Sequence, residues 1–161
     1  MEGFSINPAS LCLGAGASFY ARTIDTDPKH MMDTFIAASQ HKGTSMVEVL
    51  QNCVIFNDKV HDAHTNRELR DDHTIRLEHG KPMIFGKEMN KGLVLNGLSI
   101  EVVEIGKNGV KESDILVHDA KCEDNTLHQM LVKLQYPLAT GIIRSYEDKT
   151  FEEREEDLNK E

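Results

Sequence analysis

Cys53 is the residue whose type and place could do the most chemistry. It stands in Gln51-Asn52-Cys53-Val54-Ile55-Phe56-Asn57-Asp58, directly after the apolar run 44–50, where a buried strand should end and where α/β enzymes gather their reacting groups. A thiolate there is a soft ligand suited to iron. Taken alone, a single cysteine after a strand is more often a small buried apolar residue, and no CxxC occurs to announce a cluster. Three other groupings have ordinary rivals. His61-Asp62-Ala63-His64 offers two imidazoles and a carboxylate, but a metal site needs three or four converging ligands, so a solvated loop is the better reading. Asp25, Asp27 and His30 could form an acid/base set, yet carboxylates just before a helix are normal caps and turn residues. Gly14-Ala15-Gly16-Ala17-Ser18 lacks the GxGxxG spacing of a phosphate loop and reads instead as close helix packing. None of the eight histidines stands out as a catalytic base.

The elements that must position these residues follow from pattern. Asn7 and Pro8 open a helix over residues 8–18, and residues 19–24 alternate as a short strand ended by the acidic turn Asp25, Asp27, Pro28. Met31, Met32, Phe35, Ile36 and Ala38 recur at helical spacing up to the stop at Lys42-Gly43. Residues 44–50 carry only Glu48 as a full charge, as a parallel strand covered on both faces would. Helix, strand, helix, strand is half of a doubly wound α/β sheet. Residues 59–72 are charged and aperiodic, a linker. Short strands are expected at 74–77, 83–85, 93–95, 99–105 and 115–117, with Asn108-Gly109 as a hairpin turn. A helix over 125–134 and a strand over 139–145 complete a small α+β lobe, and 147–161 reads as a frayed or solvated charged tail. The division expected is 1–58, a linker 59–73, a lobe 74–146 and a tail 147–161.

Composition bounds the function. The 161 residues can bury one ordinary core, or a small core with an appended lobe. With 18 basic and 27 acidic residues the formal net charge is -9, unsuited to nucleic acid or anionic lipid. No apolar run approaches a membrane span and the first residues lack a signal-peptide pattern, so a cytoplasmic location is expected. Three widely spaced cysteines, Cys12, Cys53 and Cys122, do not make a disulfide framework.

The segment around Cys53, read with Asn7-Pro8-Ala9-Ser10-Leu11-Cys12-Leu13-Gly14-Ala15-Gly16-Ala17 and Thr23-Ile24-Asp25-Thr26-Asp27-Pro28-Lys29-His30, resembles the thiamine-diphosphate-binding beta subunit of 2-oxoacid:ferredoxin oxidoreductases, closest to the 2-oxoglutarate type. The resemblance is strongest over residues 7–58 and continues through Gly80-Lys81-Pro82-Met83-Ile84-Phe85-Gly86 and residues 138–145. It implies the C-terminal half of a doubly wound thiamine-diphosphate domain followed by a small lobe. It further implies thiamine diphosphate, magnesium and a 4Fe-4S cluster in the intact enzyme, with Cys53 as the cysteine that matches a cluster ligand. Cys12 and Cys122 match no cluster position. An alpha subunit, ferredoxin, coenzyme A and a 2-oxoacid are the implied partners and substrates, and the lobe after Asp58 is the expected contact with the other subunit.

The family's Gly-Asp-Gly segment and the other three cluster cysteines do not occur, and both are expected upstream of Met1. The chain alone is therefore expected to hold neither cofactor nor cluster, to have no catalytic residue of its own, and to self-associate through an open sheet edge. The rival readings are a protein-binding module whose acidic lobe docks a partner and, less favoured, a small metal-dependent hydrolase built on His61 and His64.

Overall fold

The computed structural model describes residues 6–55 and 58–160. In chain order the elements are α1 (Pro8–Gly14), β1 (Phe19–Ile24), α2 (Pro28–Gln40), β2 (Ser45–Leu50), α3 (Asp62–Thr65), α4 (Arg70–His73), β3 (Thr74–Leu77), β4 (Ile84–Phe85), β5 (Lys91–Asn96), β6 (Ser99–Glu104), α5 (Thr126–Lys133), β7 (Leu138–Ser145) and α6 (Phe151–Leu158). One sheet has the order β2-β1-β7-β3 and a second has the order β4-β5-β6.

Capping chemistry starts α1 where the sequence says. Asn7 accepts the Ser10 amide at 3.0 Å and Pro8 supplies a preset first helical position. The helix ends before the expected Ser18. Gly16 adopts φ +89°, so its amide reaches Leu13 O at 3.2 Å and the Ala17 amide reaches Cys12 O at 3.0 Å. That left-handed closure satisfies the last carbonyls and lets residues 17–18 lead into β1. Asn125, which caps α5, and Gln129 of α5 donate to Leu13 O and Ser10 O of α1, but the glycines at its end are not crowded, since a Cβ at Gly14 would come no nearer than 3.9 Å to Gln129 and one at Gly16 would meet nothing within 4 Å.

β1 is buried along its whole length and runs parallel to β2, from Phe19 opposite Ser45 to Ile24 opposite Leu50, with α2 as the crossover. β7 is antiparallel to β1, with a register shift between Tyr20 and Ala21, and parallel to β3. The sheet is therefore mixed α/β. It takes β1 and β2 from before residue 58 and β3 and β7 from after residue 74, so hydrogen-bonded strands bridge the expected division. One hydrophobic cluster likewise joins Leu13 and Tyr20 with Ile75, Phe85, Leu93, Leu131 and Ile143. Gly141 makes the close approach of β7 to β3 possible. It sits at φ +88°, and a Cβ there would lie 2.6 Å from Leu77 O.

Five further expectations are corrected. β2 is not covered on both faces; it is the outer strand, with Ser45 and Met46 exposed and the rest half-buried. Residues 59–72 are not one loop but contain the single-turn helices α3 and α4, too short to show a period. Residues 115–117 form no strand beyond one bridge from Val117 to Pro82, and Asn108-Gly109 makes a turn closed by Gly106 N to Val110 O at 2.9 Å without a strand after it. The hairpin lies elsewhere, at Gly97-Leu98 between paired Asn96 and Ser99. Finally, 150–158 is ordered as a capped helix. Thr150 and Glu153 form a reciprocal capping box, and Lys42 holds Glu153 at 2.6 Å, although no residue of α6 is buried.

Candidate functional site

The chemistry-bearing residues collect at the carboxyl ends of the parallel pair β1 and β2. The Asp25 amide donates to Leu50 O at 3.0 Å, locking the two strand ends together. Cys53 follows β2 by three residues and is exposed, so the rival reading of a buried structural thiol does not apply to it. Asn52 ties the base of this loop. Its Nδ2 donates to Asp58 Oδ1 at 2.8 Å and its Oδ1 accepts the Lys59 amide at 2.8 Å, with Lys59 itself at φ +63°. Val54 and Ile55 are exposed beside the thiol, and Phe56 and Asn57 of the same segment lie outside the described residues. Cys122 is also exposed, whereas Cys12 is half-buried in α1.

Beside this loop runs a charged triad that sequence reasoning missed. Arg22 of β1 and Glu48 of β2 are register partners, and Arg22 Nε meets Glu48 Oε2 at 2.6 Å. Tyr20 Oη donates to the same oxygen at 2.6 Å, and Arg22 Nη1 donates to Ala139 O at 3.1 Å. Arg22 is only 4% exposed. Burial, with the neighbouring Glu48 carboxylate, pushes the Tyr20 phenol well above its usual range, so it is a proton donor throughout. The sequence shows one opposite charge in each of two successive strands, but only the parallel register makes them partners.

Asp27 has the ordinary role foreseen for it and a second one. One carboxylate oxygen accepts the His30 amide at 3.2 Å and caps α2, while the other faces Arg76 Nη2 at 2.5 Å and Arg70 Nη1 at 3.6 Å. Partial burial opposes its charge, but the His30 amide and the two guanidinium groups together hold the carboxyl below its ordinary value. His30 donates or accepts at Thr23 Oγ1, 3.2 Å away, and burial followed by the Arg76 charge lowers its pKa. Asp25 takes no part. These residues line a cleft of about 380 Å³ with Thr74, Phe85 and Lys87. A second cleft of about 520 Å³ lies across His30 and Arg76 and is walled by His79, Ala120, Lys121 and Ser145.

His61 and His64 stand 6.3 Å apart ring to ring, and burial lowers the His64 pKa, followed by the His61 charge. Among the described residues no group of three or more His, Cys, Asp or Glu side chains converges as a metal site. A four-iron cluster normally takes four thiolates, and the chain has three cysteines, Cys12, Cys53 and Cys122. Among the described residues they do not converge with other ligands as a cluster site. Among the described residues no helix is long and apolar enough to cross a membrane.

Comparison with known proteins adds relatives to this geometry. Over 118 residues, 73% of the chain, it is 39% identical to the 2-oxoglutarate oxidoreductase subunit KorB of Mycobacterium tuberculosis, of which the match covers 31%. It is 42% identical over 53 residues, 33% of the chain and 17% of the relative, to a 2-oxoacid:ferredoxin oxidoreductase subunit beta of Saccharolobus solfataricus. A similar subunit of Aeropyrum pernix is 37% identical over 54 residues, 34% of the chain and 17% of the relative. The chain thus spans less than a third of the length of these curated relatives. No family model matches it.

Proposed function

From the homology of this chain to the beta subunits of 2-oxoacid:ferredoxin oxidoreductases, we propose that it is part of such a subunit, of the 2-oxoglutarate type. The observation that carries the reading is the 39% identity with KorB over nearly three quarters of the chain. The reaction assigned to the assembled complex is oxidative decarboxylation of a 2-oxoacid, with the acyl group passed to coenzyme A and electrons to ferredoxin. Thiamine diphosphate, magnesium and a 4Fe-4S cluster supply that chemistry when bound.

The part of this chain is to present Cys53. The loop tied by Asn52 at the carboxyl end of β2 keeps the thiol exposed at the edge where a cofactor crevice would lie, which supports Cys53 as the single cluster ligand this chain contributes. The triad Tyr20, Arg22 and Glu48 fixes β2 against β1 and so fixes the start of that loop. The remaining ligands and the diphosphate clamp come from other residues of the complex, and the alpha subunit is the partner. The lobe carrying β4 to β6 is assigned to that contact.

The experiment is anaerobic purification of the complex containing this chain, comparing wild type with Cys53→Ser, Cys12→Ser and Cys122→Ser. The expected result is loss of cluster iron and of 2-oxoglutarate-dependent ferredoxin reduction in Cys53→Ser alone. Full iron content in Cys53→Ser removes the assignment of that residue, and a complex that ignores every 2-oxoacid removes the functional reading.

A further inference from the structure

Two imidazoles and a guanidinium lie buried together, away from the site described above. His118 and His128 of α5 are each 1% exposed, with rings edge to face at 6.1 Å, and Arg144 of β7 is 6% exposed. Arg144 Nη1 meets His128 Nδ1 at 3.2 Å. A guanidinium only donates, so Nδ1 accepts, and the ring proton sits on Nε2, which donates to Asp119 O at 2.8 Å. His118 Nε2 donates in the same way to Ile142 O at 2.9 Å. Arg144 also donates to Cys122 O and Glu123 O, each at 2.9 Å. His79 Nδ1 accepts the Ala120 amide at 3.2 Å, and Ser145 N donates to Ala120 O at 2.6 Å. Residues 118–124 are thus fastened to β7 and α5 by neutral imidazoles around one permanent charge. That same turn, through Ala120 and Lys121, is a wall of the 520 Å³ cleft.

We propose that the turn 118–124 is a proton-operated latch on this cleft: protonation of His128 sets an N–H against the Arg144 N–H, the contact is lost, and the cleft wall opens. The groups facing the histidines are Arg144 from β7, His79 from the segment after β3, Asp119 and Asp124 from the turn, and each histidine for the other. The aspartates favour the proton. Burial is the largest influence and opposes it, as do Arg144 at His128 and His79 at His118, so both rings are held below the ordinary histidine value. A lowered folded-state value means that the latch has full strength above the unfolded histidine pKa, about 6.5, and weakens as pH falls below it.

Hydrogen exchange by mass spectrometry on the full chain, corrected for the intrinsic rate, tests this between about pH 7.5 and about pH 5.5. Peptides covering 118–124 are expected to lose protection on acidification, by up to about tenfold per pH unit, while β1 keeps its own. In His128→Gln, which keeps a donor for Asp119 O but does not titrate, this dependence is expected to weaken to the part that His118 supplies. Protection that does not change with pH, a loss shared equally by β1, or a dependence retained in full in His128→Gln each overturns the proposal. Should that variant not fold, the wild-type ring protons decide by NMR: a His128 midpoint shared with the Ala120 and Lys121 amides supports the latch, and His128 titrating while those amides stay fixed overturns it.

Discussion

At the scale of single residues, one carboxylate oxygen does two jobs. Glu48 Oε2 accepts from both Tyr20 and Arg22, so the Arg22 charge is buried with its counter-ion in place. Glu48→Gln keeps the volume and removes that compensation. Denaturant unfolding is expected to show a loss of about 3 kcal/mol, because an unpaired buried charge is the expensive case, whereas Tyr20→Phe is expected to lose only about 1 kcal/mol. An unchanged midpoint in Glu48→Gln would mean that Arg22 reaches water instead. Such a triad is hard to see in a sequence, since Arg22 and Glu48 become neighbours only through the parallel register. The same holds for Arg70 and Arg76: only the fold brings them to Asp27. The place of Cys53, by contrast, three residues after the end of β2, was legible from the apolar run before it, because a strand end is a local property.

Elements were legible where one local signal decided them. The fully buried β1 and the capped α2 agree with their residues closely, Asp27 and Pro28 marking the helix start. α1 was read too long because helix-compatible small residues hide the turn that Gly16 makes. α6 was read as a frayed tail because its composition is charged, although Thr150 with Glu153 is a local capping pattern that announces it. The position of β2 at an edge was not legible, since strand order is a tertiary fact. Gly141 shows how tightly β7 is seated: Gly141→Ala meets both a left-handed backbone and Leu77 O. Its expected destabilisation is about 2 kcal/mol or more by thermal or denaturant unfolding, and a neutral result would show that β3 can move aside.

At the scale of the whole chain, the balance of charge and edge matters. Each copy carries a net charge of -9, which opposes association in general. The outer edge of β2 lacks the usual protection, for its only charge, Glu48, is turned to Arg22 and Tyr20, and Met46 beside it is 38% exposed. Light scattering at rising concentration is expected to show an increasing mass that Met46→Lys reduces; a monodisperse monomer would contradict this. Thermal shift with magnesium and thiamine diphosphate is expected to give no saturable stabilisation of the isolated chain, and a saturable rise at physiological levels would show that it holds the cofactor unaided.

The seat of β7 also orders events in time. It is the last of the seven described strands in chain order, and it lies between β1 and β3, which do not touch each other in the sheet. Until residues 138–145 emerge, β1 has a partner on one side only and β3 has none in that sheet. From the emergence of β1 until that of β7 the nascent chain therefore carries an unfinished sheet, the interval in which a holding chaperone has most to protect.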